Sequence, residues 1–244
     1  YMIRDHEPTE EDQYHIYQKV FESSDGLDIT IRVLDIGGDK ALPYIDVNKE
    51  DNPALGNRGV RLLLANKALF KAHLKAILRA GVFGNLKILF PMISNSQEID
   101  QILEVLSDVE TELQFQNIEY AGDYEIGVMI EVPSILFEME TVIEKVDFIS
   151  LGTNDLVQYI FASDRTNEIV YNKNLYLSPV FLKILKNLGD ITNKDKSKNI
   201  SICGEMAGDT FALPFIIASG IKELSMAPRF IPKIRKAAKE ITLE

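Results

Sequence analysis

The chain has 244 residues, 46% of them hydrophobic and 26% charged, with 14 glycines, 9 prolines and a formal charge of −11. That length and apolar content suffice to bury the core of one large domain, and the acidic balance excludes general binding to nucleic acid or an anionic membrane, because no long-range positive field would attract a polyanion. No apolar run approaches the roughly 18 residues of a membrane span, and the opening Tyr1-Met2-Ile3-Arg4-Asp5-His6 has no basic segment leading into an apolar one, so a cytoplasmic location is expected.

Along the chain, short apolar runs alternate with amphipathic stretches. Residues 29–34 form the first run. Residues 60–79 predict one helix, with Leu63, Leu64, Leu74, Ile77 and Leu78 among its apolar positions and Gly81 just past its end as a stop. After a second run at 86–90, Ser94-Asn95-Ser96-Gln97 has capping-box spacing, and Ile99, Ile102, Leu103, Leu106 and Val109 follow at helical period. Further runs at 126–130, 148–151, 200–203 and 224–226 complete a set of six, all read as buried parallel strands. His15 and His73 fall within helical stretches and His6 near the start, and none is placed as a nucleophile. Strand, loop and helix thus repeat, which gives a parallel α/β fold, either a closed barrel or an open doubly wound sheet. No glycine-rich dinucleotide fingerprint or phosphate loop follows any run, so the barrel is preferred. Neither an interdomain linker nor a long repeat is visible, and residues 1–244 are read as one domain.

In a barrel the polar residues just after each strand build the site. Glu131 ends the third run and Asp155 follows Gly152-Thr153-Asn154 after the fourth, so two carboxylates should project from neighbouring strand ends. Mg²⁺ or Mn²⁺ suits such a pair, because these ions take one or two carboxylates and keep positions for water and substrate oxygens. The alternative is that Glu131 caps a helix and Asp155 makes a turn. Arg32 lies within the first run, Arg58 in Leu55-Gly56-Asn57-Arg58 and Arg165 after the fourth run. An arginine in an apolar strand needs a partner. A bound carboxylate or phosphate would serve, and an internal salt bridge is the competing account. The single cysteine, Cys203, ends the fifth run, so no internal disulfide is possible and a reducing compartment fits. At a strand end it is a candidate for chemistry, whereas a lone buried cysteine elsewhere is usually inert.

Five ordered motifs carry a resemblance along essentially the whole chain. They are Ile31-Arg32-Val33-Leu34-Asp35-Ile36-Gly37-Gly38-Asp39-Lys40, Gly56-Asn57-Arg58-Gly59-Val60-Arg61, Gly127-Val128-Met129-Ile130-Glu131-Val132-Pro133, Leu151-Gly152-Thr153-Asn154-Asp155-Leu156 and Cys203-Gly204-Glu205. Together they resemble the C-terminal domain of the phosphoenolpyruvate-protein phosphotransferases, the Enzyme I family of the bacterial sugar phosphotransferase system. Pyruvate phosphate dikinase and phosphoenolpyruvate synthase look similar at the metal and cysteine motifs, and the Asp-Ile-Gly-Gly-Asp-Lys stretch favours Enzyme I. The resemblance implies a (β/α)8 TIM barrel of the phosphoenolpyruvate/pyruvate type. It implies Mg²⁺ held by Glu131 and Asp155, substrate contacts from Arg32, Arg58, Asn154, Asp155 and Arg165, and Cys203 as proton donor. The chain starts just after an Arg-Thr-Glu-Phe stretch usual in the family and stops before its last helical segment. A fragment is therefore expected, with the first strands and the phosphohistidine domain absent. Val33 and Val132 stand where threonine is usual, and the stretch 171–179 departs from the family's tyrosine-containing loop.

The implied activity is transfer of the phosphoryl group of phosphoenolpyruvate to a histidine on a separate N-terminal domain, and through it to a phosphocarrier protein, with a homodimer as the expected assembly. Transfer leaves pyruvate enolate, whose charge a cation and arginines stabilise. A thiol, with an unperturbed pKa of about 8.5, is mostly protonated at neutral pH and can deliver the C3 proton. The alternatives are a dikinase- or synthase-like domain, a metal-dependent lyase acting on a pyruvate enolate, and a fragment that only senses phosphoenolpyruvate.

Overall fold

The first five apolar runs, rich in β-branched and aliphatic residues with no proline, each carry a strand, and of the sixth, expected at 224–226, only Leu224 lies in a strand. The computed structural model of the chain describes residues 6–37, 50–194 and 198–242; the opening Tyr1-Met2-Ile3-Arg4-Asp5 and the motif residues Gly38-Asp39-Lys40 lie outside them. The strands are β1 (Ile29–Arg32), β2 (Leu86–Phe90), β3 (Glu125–Ile130), β4 (Phe148–Gly152), β5 (Asn199–Cys203) and β6 (Glu223–Leu224). They follow one another through the sheet in chain order. A doubly wound sheet reverses that order part-way, and this one has no reversal, so the topology is that of the α/β barrels, with six strands among the described residues where a closed barrel has eight.

The chain divides into two compact units, Tyr1–Gly127 and Val128–Glu244. In the first, β1 pairs in parallel with β2, Ile29 opposite Leu86 and Arg32 opposite Leu89. Helix α1 (Glu10–Glu22) begins with a capping box in which Thr9 and Asp12 satisfy each other's backbone N–H groups. The stretch expected as one helix is two, α2 (Val60–Ala65) and α3 (Lys67–Ala80). Asn66 divides them: at φ −118° and ψ 73° it leaves the helical region, and its side chain accepts from the Leu69 N–H as the cap of α3. Gly81 does not stop α3 by a left-handed turn. It is right-handed at φ −62°, and a Cβ there would lie 2.7 Å from Leu86 and 2.8 Å from Ala121, so space selects the glycine. The cap of α4 (Ser96–Phe115) sits one residue later than its spacing suggests. Asn95 accepts from Glu98 N, and the Glu98 carboxylate accepts from Ser94 N at 2.6 Å. Leu63, Phe70, Leu74, Ile77 and Phe90 are fully buried in this unit's core.

His73 is buried between α3 and α1. Gln13 spends its amide N–H₂ on Pro8 O, so its oxygen faces His73 and accepts from Nδ1 at 2.7 Å. Burial disfavours the imidazolium and lowers the His73 pKa from the usual 6.5 to about 3. Unfolded chain therefore takes up a proton that the folded chain refuses. The contribution is fully present above pH 6.5 and is lost as pH falls from there toward 3. Urea unfolding at several pH values should show the wild type losing stability more steeply than His73→Leu in this window, by up to about 1.4 kcal/mol per pH unit. Parallel curves would mean that the imidazole is not held neutral.

In the second unit β4 and β5 pair in parallel, Phe148 opposite Asn199 and Gly152 opposite Cys203, and β5 pairs with β6, Ile202 opposite Leu224. The helices are α5 (Met139–Lys145), α6 (Thr153–Ile160), α7 (Pro179–Lys194), α8 (Leu213–Ser219) and α9 (Ile231–Glu240). Gly189 lets α7 approach the end of α8, since a Cβ there would overlap Ser219 O. Ile149, Leu151, Phe181, Ile202 and Met206 fill the core.

Candidate functional site

The polar residues after β1 gather around one carboxylate. Asp35 accepts from Arg58 twice, Nε to Oδ1 at 3.0 Å and Nη2 to Oδ2 at 3.1 Å, and Arg32 Nη1 lies 3.5 Å from Oδ2. The Arg58 side chain is only 1% accessible, so its charge is held away from bulk water against this partner. Arg32 is different: its side chain is 45% accessible, because it falls with Thr30 on the exposed face of β1, on either side of the buried Ile31. Both the salt bridge and an open approach for a ligand are thus present at Arg32.

In the second unit the site is built on the ends of β4 and β5. Gly152 ends β4, and a Cβ on it would lie 2.7 Å from Glu131 Oε2, so the glycine leaves the space that this carboxylate occupies. Glu131 is 1% exposed, and it is Val132 rather than Glu131 that takes the cap position of the 3₁₀ turn Pro133–Phe137 that follows. Asp155 is 7% exposed and sits in the first turn of α6 rather than in a loop turn. The helix N-terminus favours a negative charge there. Arg165 Nη1 lies 3.7 Å from Asp155 Oδ2, and the Arg165 N–H donates to Gln158 Oε1 at 3.0 Å.

The end of β5 is tied to the start of α6. Thr153 Oγ1 donates to Cys203 O at 2.8 Å, and Glu205 N donates to Asn154 Oδ1 at 3.0 Å. Gly204 between them has φ +92°, a conformation that favours glycine, and a Cβ would lie 2.5 Å from Thr153 Oγ1. Cys203 is half-buried, and its thiol donates to Leu151 O at 3.3 Å on the neighbouring strand. Tyr176 donates to Asp209 at 2.6 Å, and burial followed by that bond pushes its hydroxyl pKa well above the usual value. Glu131, Asn154, Asp155, Arg165 and Cys203 therefore sit around adjoining strand ends of this unit, and Arg32 and Arg58 share one carboxylate in the other.

The donor set suits a hard cation. Two nearly buried carboxylates, Glu131 packed against Gly152 and Asp155 in the first turn of α6, offer oxygen ligands, and among the described residues no three or more His, Cys, Asp or Glu side chains form a metal cage. An ion here would draw its remaining ligands from water and substrate, as Mg²⁺ does.

The family model described as "PEP-utilising enzyme, PEP-binding domain" matches residues 1–243. The chain belongs to that family. Among its relatives, the phosphoenolpyruvate-protein phosphotransferase of Listeria monocytogenes is 43% identical over 241 residues, covering 99% of this chain and 42% of the relative. That of Priestia megaterium is 40% identical over 242 residues, with the same shares, and that of Staphylococcus epidermidis 42% identical, covering 97% and 41%. The chain spans about two-fifths of the length of these relatives. Among solved structures, a citrate lyase of Burkholderia xenovorans superposes with a TM-score of 0.55 at 14% identity, covering 96% of this chain and 75% of that one. That likeness shows the fold, and at such identity it says nothing of lyase chemistry.

Within this PEP-binding domain, reading the sequence missed two residues that hold others in place. Asp35 follows Arg32 by three positions just past a strand end, a spacing that could have flagged it. Thr153 precedes the recognised Asn154-Asp155 pair, but its bond to the Cys203 carbonyl spans 50 residues and has no local signal.

Proposed function

We propose that this chain binds phosphoenolpyruvate with Mg²⁺ and supports transfer of its phosphoryl group to a histidine on another domain, releasing pyruvate as the first step of sugar uptake by a phosphotransferase system. The observation that carries the reading is the match of residues 1–243 to a PEP-binding domain, together with relatives at 40–43% identity that are phosphoenolpyruvate-protein phosphotransferases. In this reading Arg32, Arg58 and Arg165 bind the phosphate and carboxylate, and Asn154 contributes a hydrogen bond from its amide. Glu131 and Asp155 would hold Mg²⁺, with Mn²⁺ as a substitute. The ion supplies charge neutralisation on phosphate and enolate oxygens. The arginines orient the substrate for in-line attack and stabilise the negative charge left on pyruvate enolate. Cys203 then gives its thiol proton to C3. The proposal includes a phosphocarrier protein downstream of the histidine, homodimeric assembly and a cytoplasmic location; among the described residues no helix is long and apolar enough to cross a membrane.

Calorimetric titration with phosphoenolpyruvate tests the reading. Binding in Mg²⁺ should be tighter than in excess chelator by about tenfold or more, ~1.4 kcal/mol, and Asp155→Ala should abolish the difference. No binding under either condition would sink the proposal, and equal binding under both would sink the metal assignment alone.

A further inference from the structure

Asp35 lies inside the arginine cluster of the first unit, where simple charge matching would not put a carboxylate beside an anion site. Its side chain is 1% accessible, and Arg58 bonds to both of its oxygens. A two-point bond of this kind fixes the plane of a guanidinium as well as its distance. Arg32 Nη1 and Arg58 Nη2 converge on the same oxygen, Oδ2, at 3.5 and 3.1 Å. One carboxylate thus holds two cations together that would otherwise repel.

The backbone keeps this arrangement in register. Gly59 N donates to Ile36 O at 2.9 Å, and Gly37 and Arg58 form an isolated antiparallel bridge. Gly37 has φ +97°, and a Cβ there would overlap Asn57 O, so the segment carrying Asp35 presses directly on the one carrying Arg58. Asp35 and Arg58 are 23 residues apart in sequence, yet their main chains are locked side by side.

We propose that Asp35 is a positioning residue of the anion site: it sets the plane of Arg58 and holds Arg32 beside it, so that the two guanidiniums meet the substrate's phosphate or carboxylate already oriented. The inference rests on the reading above, that phosphoenolpyruvate is the anion. It makes a prediction of sign. If Asp35 acted only through its charge, Asp35→Asn would add a unit of positive potential and tighten anion binding. If it positions, the new amide N–H₂ faces a guanidinium N–H, the two-point bond is lost, and binding weakens.

The test is titration of the full chain with phosphoenolpyruvate in Mg²⁺, for wild type, Asp35→Asn, Arg58→Lys and the double variant, with the Arg58 Nε–H followed by NMR. Asp35→Asn should raise Kd roughly tenfold or more. Arg58→Lys, which keeps the charge but cannot make the two-point bond, should do the same. The double variant should be little worse than the weaker-binding single. The Arg58 Nε–H signal should exchange slowly in the wild type and quickly in Asp35→Asn, with the backbone amide pattern retained. Should Asp35→Asn fail to fold, Arg58→Lys decides: wild-type affinity there overturns the inference. Equal or tighter binding by a folded Asp35→Asn, with its Nε–H still protected, overturns it too. A wild-type chain that takes no phosphoenolpyruvate overturns the functional reading and this inference together.

Discussion

Replacing Cys203 with alanine should slow turnover by roughly 10²–10⁴-fold, the usual span for one general acid, while leaving phosphoenolpyruvate and Mg²⁺ binding nearly intact. The thiol is half-buried at the end of β5, and its proton engages Leu151 O on the strand beside it. It is neither sealed in the core nor loose on a tip. The bonds from Thr153 to Cys203 O and from Glu205 N to Asn154 hold the segment around it against α6, so a smaller side chain at 203 removes the proton without moving the loop. Turnover is measured in a protein of the relatives' length, with the histidine-bearing domain present. Exchange of pyruvate methyl hydrogens with deuterated water is the second readout, because it runs the same proton transfer in reverse. It should fall in step with turnover, and serine, a much weaker acid of similar shape, should restore little. Wild-type turnover and exchange in Cys203→Ala would make the cysteine an inert filler.

Part of the architecture was legible because two of the strands are buried on both faces: residues 86–90 and 148–151 read as apolar runs, and both are strands with almost every side chain enclosed. The helix boundaries were less legible, since they turn on single hydrogen bonds. Nothing in the apolar period of 60–79 reports that Asn66 turns its side chain onto the Leu69 N–H and ends one helix to begin another. Glu131, Asp155 and Cys203 could be placed at strand ends from pattern alone, and the structure has Glu131 and Asp155 buried there and Cys203 half-buried. What pattern could not supply is contact over long separations. The Asp35–Arg58 bond crosses 23 residues and the Thr153–Cys203 bond 50, and each depends on the fold already being in place. Arg32 shows the converse limit: its run is apolar, yet the alternation of the strand turns that one side chain outward.

Arg58→Ala and Arg32→Ala should separate stability from binding, because the two arginines share Asp35 but not its burial. Removing Arg58 takes both short hydrogen bonds from a carboxylate that is 1% accessible and leaves it Arg32 at 3.5 Å, and breaking a buried pair of this kind costs up to about 3–5 kcal/mol of folding stability. Removing Arg32, at 45% accessibility, breaks only a half-exposed pair, worth at most about 1 kcal/mol, and leaves Arg58 on both oxygens of Asp35. If both guanidiniums meet phosphoenolpyruvate, each loss should weaken binding by about 2–5 kcal/mol, with Arg32 toward the lower end, since its charge is already partly screened by water. Urea unfolding and calorimetry on the same preparations give the two quantities. The expected pattern is a large fall in both for Arg58→Ala and a fall in binding alone for Arg32→Ala. If Arg32→Ala binds as the wild type and loses stability instead, then Arg32 serves Asp35 rather than the ligand, and the internal salt bridge is its whole role.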